Sequence, residues 1–158
     1  MKSEFKSLAV FLAICLGAMA LGGLMTKPAI LDWYMTLNRP TFSPPNWVFG
    51  PVWTALFILM AVAGWKIWSL GTKNKLVLLG LGLFAAQLVL NVGWSYLYFY
   101  KQNISAAFIE IMVLWATILA MLLVFYRLEP RAGLMIIPYL AWVSFATVLN
   151  GAFWALNP

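Results

Sequence analysis

The hydrophobic positions of the chain fall into five long runs separated by short polar stretches. They predict helices at residues 5–25, 44–70, 76–100, 104–126 and 133–156. Each run is long enough to cross about 30 Å of hydrocarbon, which takes roughly 20 helical residues. The alternating ten-residue pattern of a closed β-barrel, the other structure that satisfies all backbone groups in lipid, does not occur. The sequence therefore predicts an all-α membrane protein, with one five-transmembrane-helix bundle domain over residues 1–158.

The composition agrees with a membrane location. Hydrophobic residues make up 65% of the chain and charged residues only 9%, which leaves too little polar surface to cover a soluble globule. A net charge of +6 in a soluble protein would suggest nucleic acid, but here the basic residues lie at the ends of the apolar runs. We therefore predict a multi-pass protein of the cell membrane that contacts lipid and binds no nucleic acid.

The distribution of basic residues predicts the orientation. One side of the membrane would hold Lys2, Lys6, Lys66, Lys73, Lys75, Arg127 and Arg131, and the other would hold Lys27, Arg39 and Lys101. Because cytoplasmic loops carry the excess of Lys and Arg, the amino terminus is expected inside and the first loop outside. The start of the chain also resembles a secretory signal, with Ala18-Met19-Ala20 as a cleavage site, but its apolar run continues to Met25. We expect this segment to be retained as a helix.

The inventory of reactive side chains excludes several kinds of chemistry. The chain has no histidine, one cysteine and four scattered acidic residues. Histidine-based catalysis and metal sites are therefore absent, and no Gly-rich phosphate loop occurs. We predict no metal and no cofactor. Glu110 is the acidic residue that lies well within an apolar run, where an acid is a candidate functional group, but a structural role is equally open.

After these exclusions, aromatic side chains are the main candidates for binding a ligand, with nine Trp, six Tyr and eleven Phe in the chain. Those near the helix ends are typical of the interfacial belts of membrane proteins. Trp53, Trp94, Trp115 and Trp142 instead lie inside their helices, where a buried indole N–H needs a partner. The pattern leaves open whether each of these four side chains packs in the core or faces a ligand.

Two helical faces combine aromatic and polar side chains. Residues three or four apart share a face of a helix, and two sets have this spacing: Gln87, Asn91 and Trp94, and then Tyr139, Trp142, Ala146 and Asn150. Their polar groups could join helices by hydrogen bonds or could line a pocket. Small residues at Gly82-x-x-x-Ala86 and Ala18-x-x-x-Gly22 permit close helix approach and suggest a homodimer.

Three motifs in this order resemble the translocator protein family, also called tryptophan-rich sensory proteins or peripheral benzodiazepine receptors. The motifs are Trp33-Tyr34-x-x-Leu37-x-Arg39-Pro40-x-Phe42-x-Pro44-Pro45 with Phe49 and Trp53, Gln87-Leu88-x-Leu90-Asn91-x-x-Trp94, and Pro138-Tyr139-Leu140-Ala141-Trp142-x-x-Phe145-Ala146-x-x-Leu149-Asn150. The resemblance runs from Trp33 to Asn150. Arg39 stands where Lys is usual in the family, and Phe42 stands where Trp is usual.

The resemblance implies a five-helix bundle, often dimeric, with a pocket for porphyrins and synthetic benzodiazepine-type ligands that is capped by the first loop. By motif match, the residues that line it would be Tyr34, Trp53, Asn91, Trp94, Tyr139, Trp142 and Ala146. Bacterial members are also implied to promote light- and oxygen-dependent porphyrin breakdown, and the tryptophans implicated match Trp53 and Trp142 of this chain. The function expected is therefore a protoporphyrin-binding sensor or receptor, with an enzymatic role open, and the alternative is a transporter of porphyrins or other small hydrophobic molecules. Gly151 and Ala152 follow Leu149-Asn150 in place of the sterol-recognition stretch of mammalian members, so sterol binding is not expected.

The proline-rich stretch before the second helix leads to predictions about local structure. Ser43 is expected to cap the helix, with Pro44 and Pro45 in a first turn whose N–H groups lack partners in any case. Pro51 removes one helical hydrogen bond and is expected to bend the helix just before Trp53. The loop at residues 26–42 would be a stiff cover over the bundle.

Overall fold

The computed structural model describes residues 2–158, and its side chains are described from Phe5 onwards. The helices are α1 (Lys2–Leu31), a short α2 (Trp33–Thr36), α3 (Asn46–Ser69), α4 (Lys75–Ser95), α5 (Ile104–Leu128) and α6 (Pro130–Leu156). A π-helical turn, Tyr96–Tyr100, continues α4. Five of these segments are long and apolar enough to cross a membrane, and the described residues form no strand. The predicted five-helix membrane fold is confirmed.

The five long helices form a closed ring around one core. Around the ring, α1 packs on α3, α3 on α6, α6 on α5, α5 on α4, and α4 on α1. Side chains from all parts of the ring meet inside it, where the fully enclosed ones include Phe57, Met60, Ile67, Leu114, Ile118, Met121, Phe125, Ile136 and Tyr139. Lipid is as apolar as these side chains, so the ring is held by close packing and by hydrogen bonds between helices.

Several helix bounds differ from those predicted. α1 continues to Leu31 through Pro28, whose missing N–H leaves a carbonyl one turn earlier without its helical bond. α6 begins at Pro130, a favourable residue for a first turn because it lacks an N–H that would have no partner there. The extended residue Glu129 is the whole connection between α5 and α6. This tight connection forces the two helices to pack against each other.

The predicted Ser43 cap is wrong. α3 begins at Asn46, its N-cap is Pro45, and no side chain caps it. The Ser43 N–H instead donates to the Pro40 carbonyl at 3.0 Å, and the Ser43 hydroxyl is buried without a partner among the residues that the structure describes. The reason is that a residue before proline is pushed out of the helical region, so Pro44 and Pro45 keep the chain extended until Asn46.

The segment at residues 32–45, which we call the lid, is fastened to the carboxyl end of the chain. The Asn38 N–H donates to Asn157 Oδ1 at 2.9 Å, and Asn157 Nδ2 donates to the Asn38 carbonyl at 3.1 Å. The Asn38 side chain adds a third bond, to the Leu156 carbonyl at 3.3 Å. Within the lid, the Arg39 guanidinium lies 4.7 Å from the centre of the buried Tyr34 ring. The three hydrogen bonds thus fasten the lid to the carboxyl end, and the cation–π contact stabilises the lid internally.

The two small-residue pairs have different positions. A Cβ on Gly22 would lie 3.2 Å from Ser95 Oγ, so the Ala18–Gly22 pair is used for the approach of α1 to α4 within the chain. Gly82 and Ala86 are exposed on α4, and nothing in the described chain lies within 4 Å of a Cβ added at Gly82. The homodimer stays a prediction, and the exposed face of α4 that carries Gly82 and Ala86 is the surface available for it.

Candidate ligand-binding site

Three predicted site residues meet in an aromatic corner between α3 and α6. The Trp53 ring lies 6.2 Å from the Tyr139 ring and 6.4 Å from the Trp142 ring, at interplanar angles of 67° and 90°. Both are edge-to-face arrangements, which suit the charge distribution of aromatic rings. Tyr139 and Trp142 come from successive turns of α6, so the helical spacing predicted from sequence aims both at Trp53.

A chain of hydrogen bonds links the aromatic corner to α4. Asn91 Nδ2 donates to the Tyr139 hydroxyl at 3.0 Å, and this hydroxyl donates to Gln87 Oε1 at 2.9 Å. Tyr139 and Gln87 are fully buried, and Asn91 is nearly so. Gln87 and Asn91 therefore join helices by hydrogen bonds, which was one of the two predicted roles. They also lie directly behind the aromatic corner, next to the candidate pocket that was the other predicted role.

Two buried donors beside this chain have no partner among the described residues. They are the Trp142 indole N–H and the Gln87 side-chain Nε2. An unpaired buried donor costs about 1 to 3 kcal/mol, and nearby lipid offers it no water. Such a cost is removed when a bound molecule supplies an acceptor. These donors are the polar groups most suited to orient a ligand.

Trp94 and Tyr34 lie in a neighbouring aromatic cluster. Trp94 stacks on Tyr98 with ring centres 5.0 Å apart, and Trp94 and Tyr34 both contact Phe99, at 5.8 and 5.9 Å. The Trp94 indole N–H donates to Asn150 Oδ1 at 3.0 Å. Its donor is thus already used, so Trp94 could offer a ligand only its ring.

The structure adds three aromatic side chains to the predicted set. Phe49 and Phe145 lie 5.8 and 5.6 Å from the Trp142 ring, and Phe42 of the lid contacts Phe145 at 6.4 Å. The half-buried Ala146 packs against the core next to them. Phe145 lies three residues after Trp142, so the helical spacing could have identified it. Phe42 connects the lid physically to the aromatic corner.

Glu110 lies against α4. A Cβ on Gly93 would lie 3.7 Å from Glu110 Oε1, and both carboxyl oxygens are buried without a hydrogen-bond partner in the described chain. The Trp115 indole N–H has a structural partner, since it donates to Ser144 Oγ at 2.7 Å beside a cavity of about 430 Å³. Trp115 is therefore outside the candidate site.

A ring of five apolar helices with aromatic and amide side chains inside defines an integral, multi-pass membrane protein. A sequence profile of the TspO/MBR family matches residues 9–155, and the chain belongs to that family. It is 40% identical over 158 residues to the tryptophan-rich protein TspO of Chlorobaculum tepidum, with both chains covered completely. It is 35% identical to the tryptophan-rich sensory protein of Cereibacter sphaeroides, over 99% of this chain and 95% of the relative. Identity to the translocator protein of Homo sapiens is 34%, over 80% of this chain and 76% of the relative. The resemblance found in the motifs is confirmed.

Proposed function

We propose that this membrane protein binds a tetrapyrrole, protoporphyrin or a close relative, in the aromatic corner, and that it acts as a sensor or receptor for it. The observation that carries the proposal is the unpaired indole N–H of Trp142, buried beside the rings of Trp53 and Tyr139. Aromatic faces suit a planar apolar macrocycle, and an unpaired donor suits an acceptor on that macrocycle, such as a carboxylate or a ring nitrogen.

The chemistry of the corner favours a ligand without a metal. The side chains that form it are Phe49, Trp53, Tyr139, Trp142 and Phe145. None is an imidazole, thiolate or carboxylate, the usual protein ligands of a metal ion. Recognition would therefore rest on ring stacking and on the two unpaired donors.

Binding requires the corner to open. Trp53 and Trp142 are in ring contact, and Phe42 of the lid reaches Phe145 at the edge of the same group. A macrocycle would have to separate these rings, so movement of the lid is part of the proposed binding step. By the distribution of basic residues, the lid faces outward and the amino terminus faces the cytoplasm.

Quenching of tryptophan fluorescence by protoporphyrin tests the proposal. The quenching should saturate for the unaltered protein, and the double variant Trp142→Phe/Asn91→Ala should bind about tenfold more weakly, because it loses a donor and a support of Tyr139. The matched control is Trp115→Phe, which removes an indole outside the site and should leave the affinity unchanged. Equal loss in both variants, or none in either, would show that the ligand binds elsewhere.

The same complexes, illuminated under oxygen, test the enzymatic extension. The direct contact of Trp53 with Trp142 would let an electron taken from one indole be replaced by the other. A new product that forms more slowly in Trp53→Phe would support light-driven degradation. Bleaching at the rate of free porphyrin would reject it and leave the binding proposal intact.

A further inference from the structure

A second, polar cleft lies at the opposite end of the bundle from the lid. It has a volume of about 180 Å³ and is lined by Trp65, Lys66, Ser69 and Glu129. The first three belong to the last turns of α3, and Glu129 is the connection between α5 and α6. Because α3 is long and apolar enough to cross a membrane and ends at Ser69, we expect the cleft at the level where lipid headgroups meet water.

The cleft contains two opposite charges, Lys66 and Glu129, that do not form an ion pair with each other. No hydrogen bond or ion pair joins Lys66 to Glu129, although both side chains are half-buried and line the same space. The remaining wall is fixed: the Trp65 indole N–H donates to Ser7 Oγ at 3.1 Å, and the Ser69 hydroxyl donates to the Trp65 carbonyl at 2.9 Å. The Ser69 oxygen keeps its capacity to accept, since a hydroxyl has two lone pairs.

We propose that this cleft binds the headgroup of a zwitterionic membrane phospholipid that carries a primary ammonium, a phosphoethanolamine group. The phosphate would pair with the Lys66 ammonium, and the lipid's ammonium would donate to the Glu129 carboxylate and to the Ser69 oxygen. The Trp65 ring would form the apolar side of the cleft, as Trp does at membrane interfaces. This site is independent of the proposed tetrapyrrole site.

The charges of the cleft select this class of headgroup. A purely anionic headgroup would meet the Glu129 carboxylate, and like charges in one small cleft repel each other. A choline headgroup has no N–H to donate to that carboxylate, so it forms only the weaker contact without a hydrogen bond. With a volume of about 180 Å³, the cleft has room for a compact headgroup.

Native mass spectrometry of the purified full-length protein in detergent tests the assignment, with ethanolamine, choline and glycerol phospholipids of identical acyl chains. The unaltered protein should bind the ethanolamine lipid about tenfold more tightly than the glycerol lipid. Glu129→Gln, which keeps the shape and removes the charge, should lose this preference and bind more of the anionic glycerol lipid. Lys66→Met should weaken binding of every lipid, and the control Lys73→Met, in the exposed loop nearby, should change nothing.

Equal binding of the ethanolamine and glycerol lipids to the unaltered protein would overturn the proposal, and so would a preference that survives Glu129→Gln. Equal binding of the choline and ethanolamine lipids would overturn the role given to the ammonium N–H. If soluble O-phosphoethanolamine saturates the cleft at lower concentration than the lipid, the lipid is the wrong source of the headgroup. If Lys66→Met and Glu129→Gln lower thermal stability without any change in lipid selectivity, the two residues form only a structural pair.

Discussion

Gly133→Val should strongly destabilise the packing of α5 against α6. A Cβ at Gly133 would lie 2.6 Å from Cα and Cβ of Tyr126 and 2.8 Å from its backbone nitrogen. The obstacle is backbone, which cannot rotate away as a flexible side chain would, and Glu129 alone connects the two helices. Overpacking of this kind costs about 3 kcal/mol or more, which corresponds to a fall in apparent melting temperature of roughly 10 °C for a chain of this size.

The control for this prediction is Gly17→Val in α1. It makes the same chemical change within a helix, and nothing in the described chain lies within 4 Å of a Cβ added at Gly17. Thermal unfolding followed by circular dichroism in detergent should show a large loss for Gly133→Val and a small one for Gly17→Val. If both variants unfold at similar temperatures, the close approach of α5 and α6 is not a constraint on the fold.

Asn157→Ala should release the lid and speed the dissociation of bound protoporphyrin about tenfold. The substitution removes the two hydrogen bonds by which the Asn157 amide holds the backbone N–H and carbonyl of Asn38. Each such bond contributes about 0.5 to 1.5 kcal/mol, and tenfold corresponds to 1.4 kcal/mol. The lid carries Phe42 against Phe145, so its release uncovers the edge of the aromatic corner.

Asn38→Ala is the graded control, because it removes only the 3.3 Å bond from the Asn38 side chain to the Leu156 carbonyl. Its effect on dissociation should be smaller. Hydrogen exchange supplies a readout that needs no ligand: the Asn38 amide should exchange faster in Asn157→Ala than in the unaltered protein. Unchanged exchange would show that Asn157 does not fasten the lid, whereas faster exchange with unchanged dissociation would show that the lid does not control the site.

The membrane fold was predictable because a helix that crosses a bilayer needs a long apolar run, and this chain has five of them. The ends of the helices were less predictable from the sequence. α1 continues through Pro28 to Leu31 although proline disfavours a helix interior, and the paired prolines keep the chain extended beyond Ser43. The bound beyond Ser43 follows a local backbone preference and the continuation through Pro28 runs against one, and an apolar pattern reports neither.

The candidate site was predictable to the extent that it depends on helical spacing. Tyr139 and Trp142 share a face of α6, as do Gln87 and Asn91 on α4, and the structure brings these faces together. The pairing of Asn38 with Asn157 could not be predicted, because 119 residues separate them and neither belongs to a periodic pattern. The unpaired state of the Trp142 indole likewise depends on the packing of several helices, not on local sequence.

The most direct measurement of the central claim is the NMR signal of each tryptophan indole N–H during titration with protoporphyrin, assigned by single Trp→Phe variants. The Trp142 indole N–H has no partner in the described part of the chain, whereas those of Trp65 and Trp115 donate to Ser7 and Ser144. Binding in the aromatic corner predicts a saturable change in the chemical shift of the Trp142 indole proton, with the Trp65 and Trp115 signals unmoved. A Trp142 signal that stays in place while protoporphyrin binds would contradict the assignment of the site.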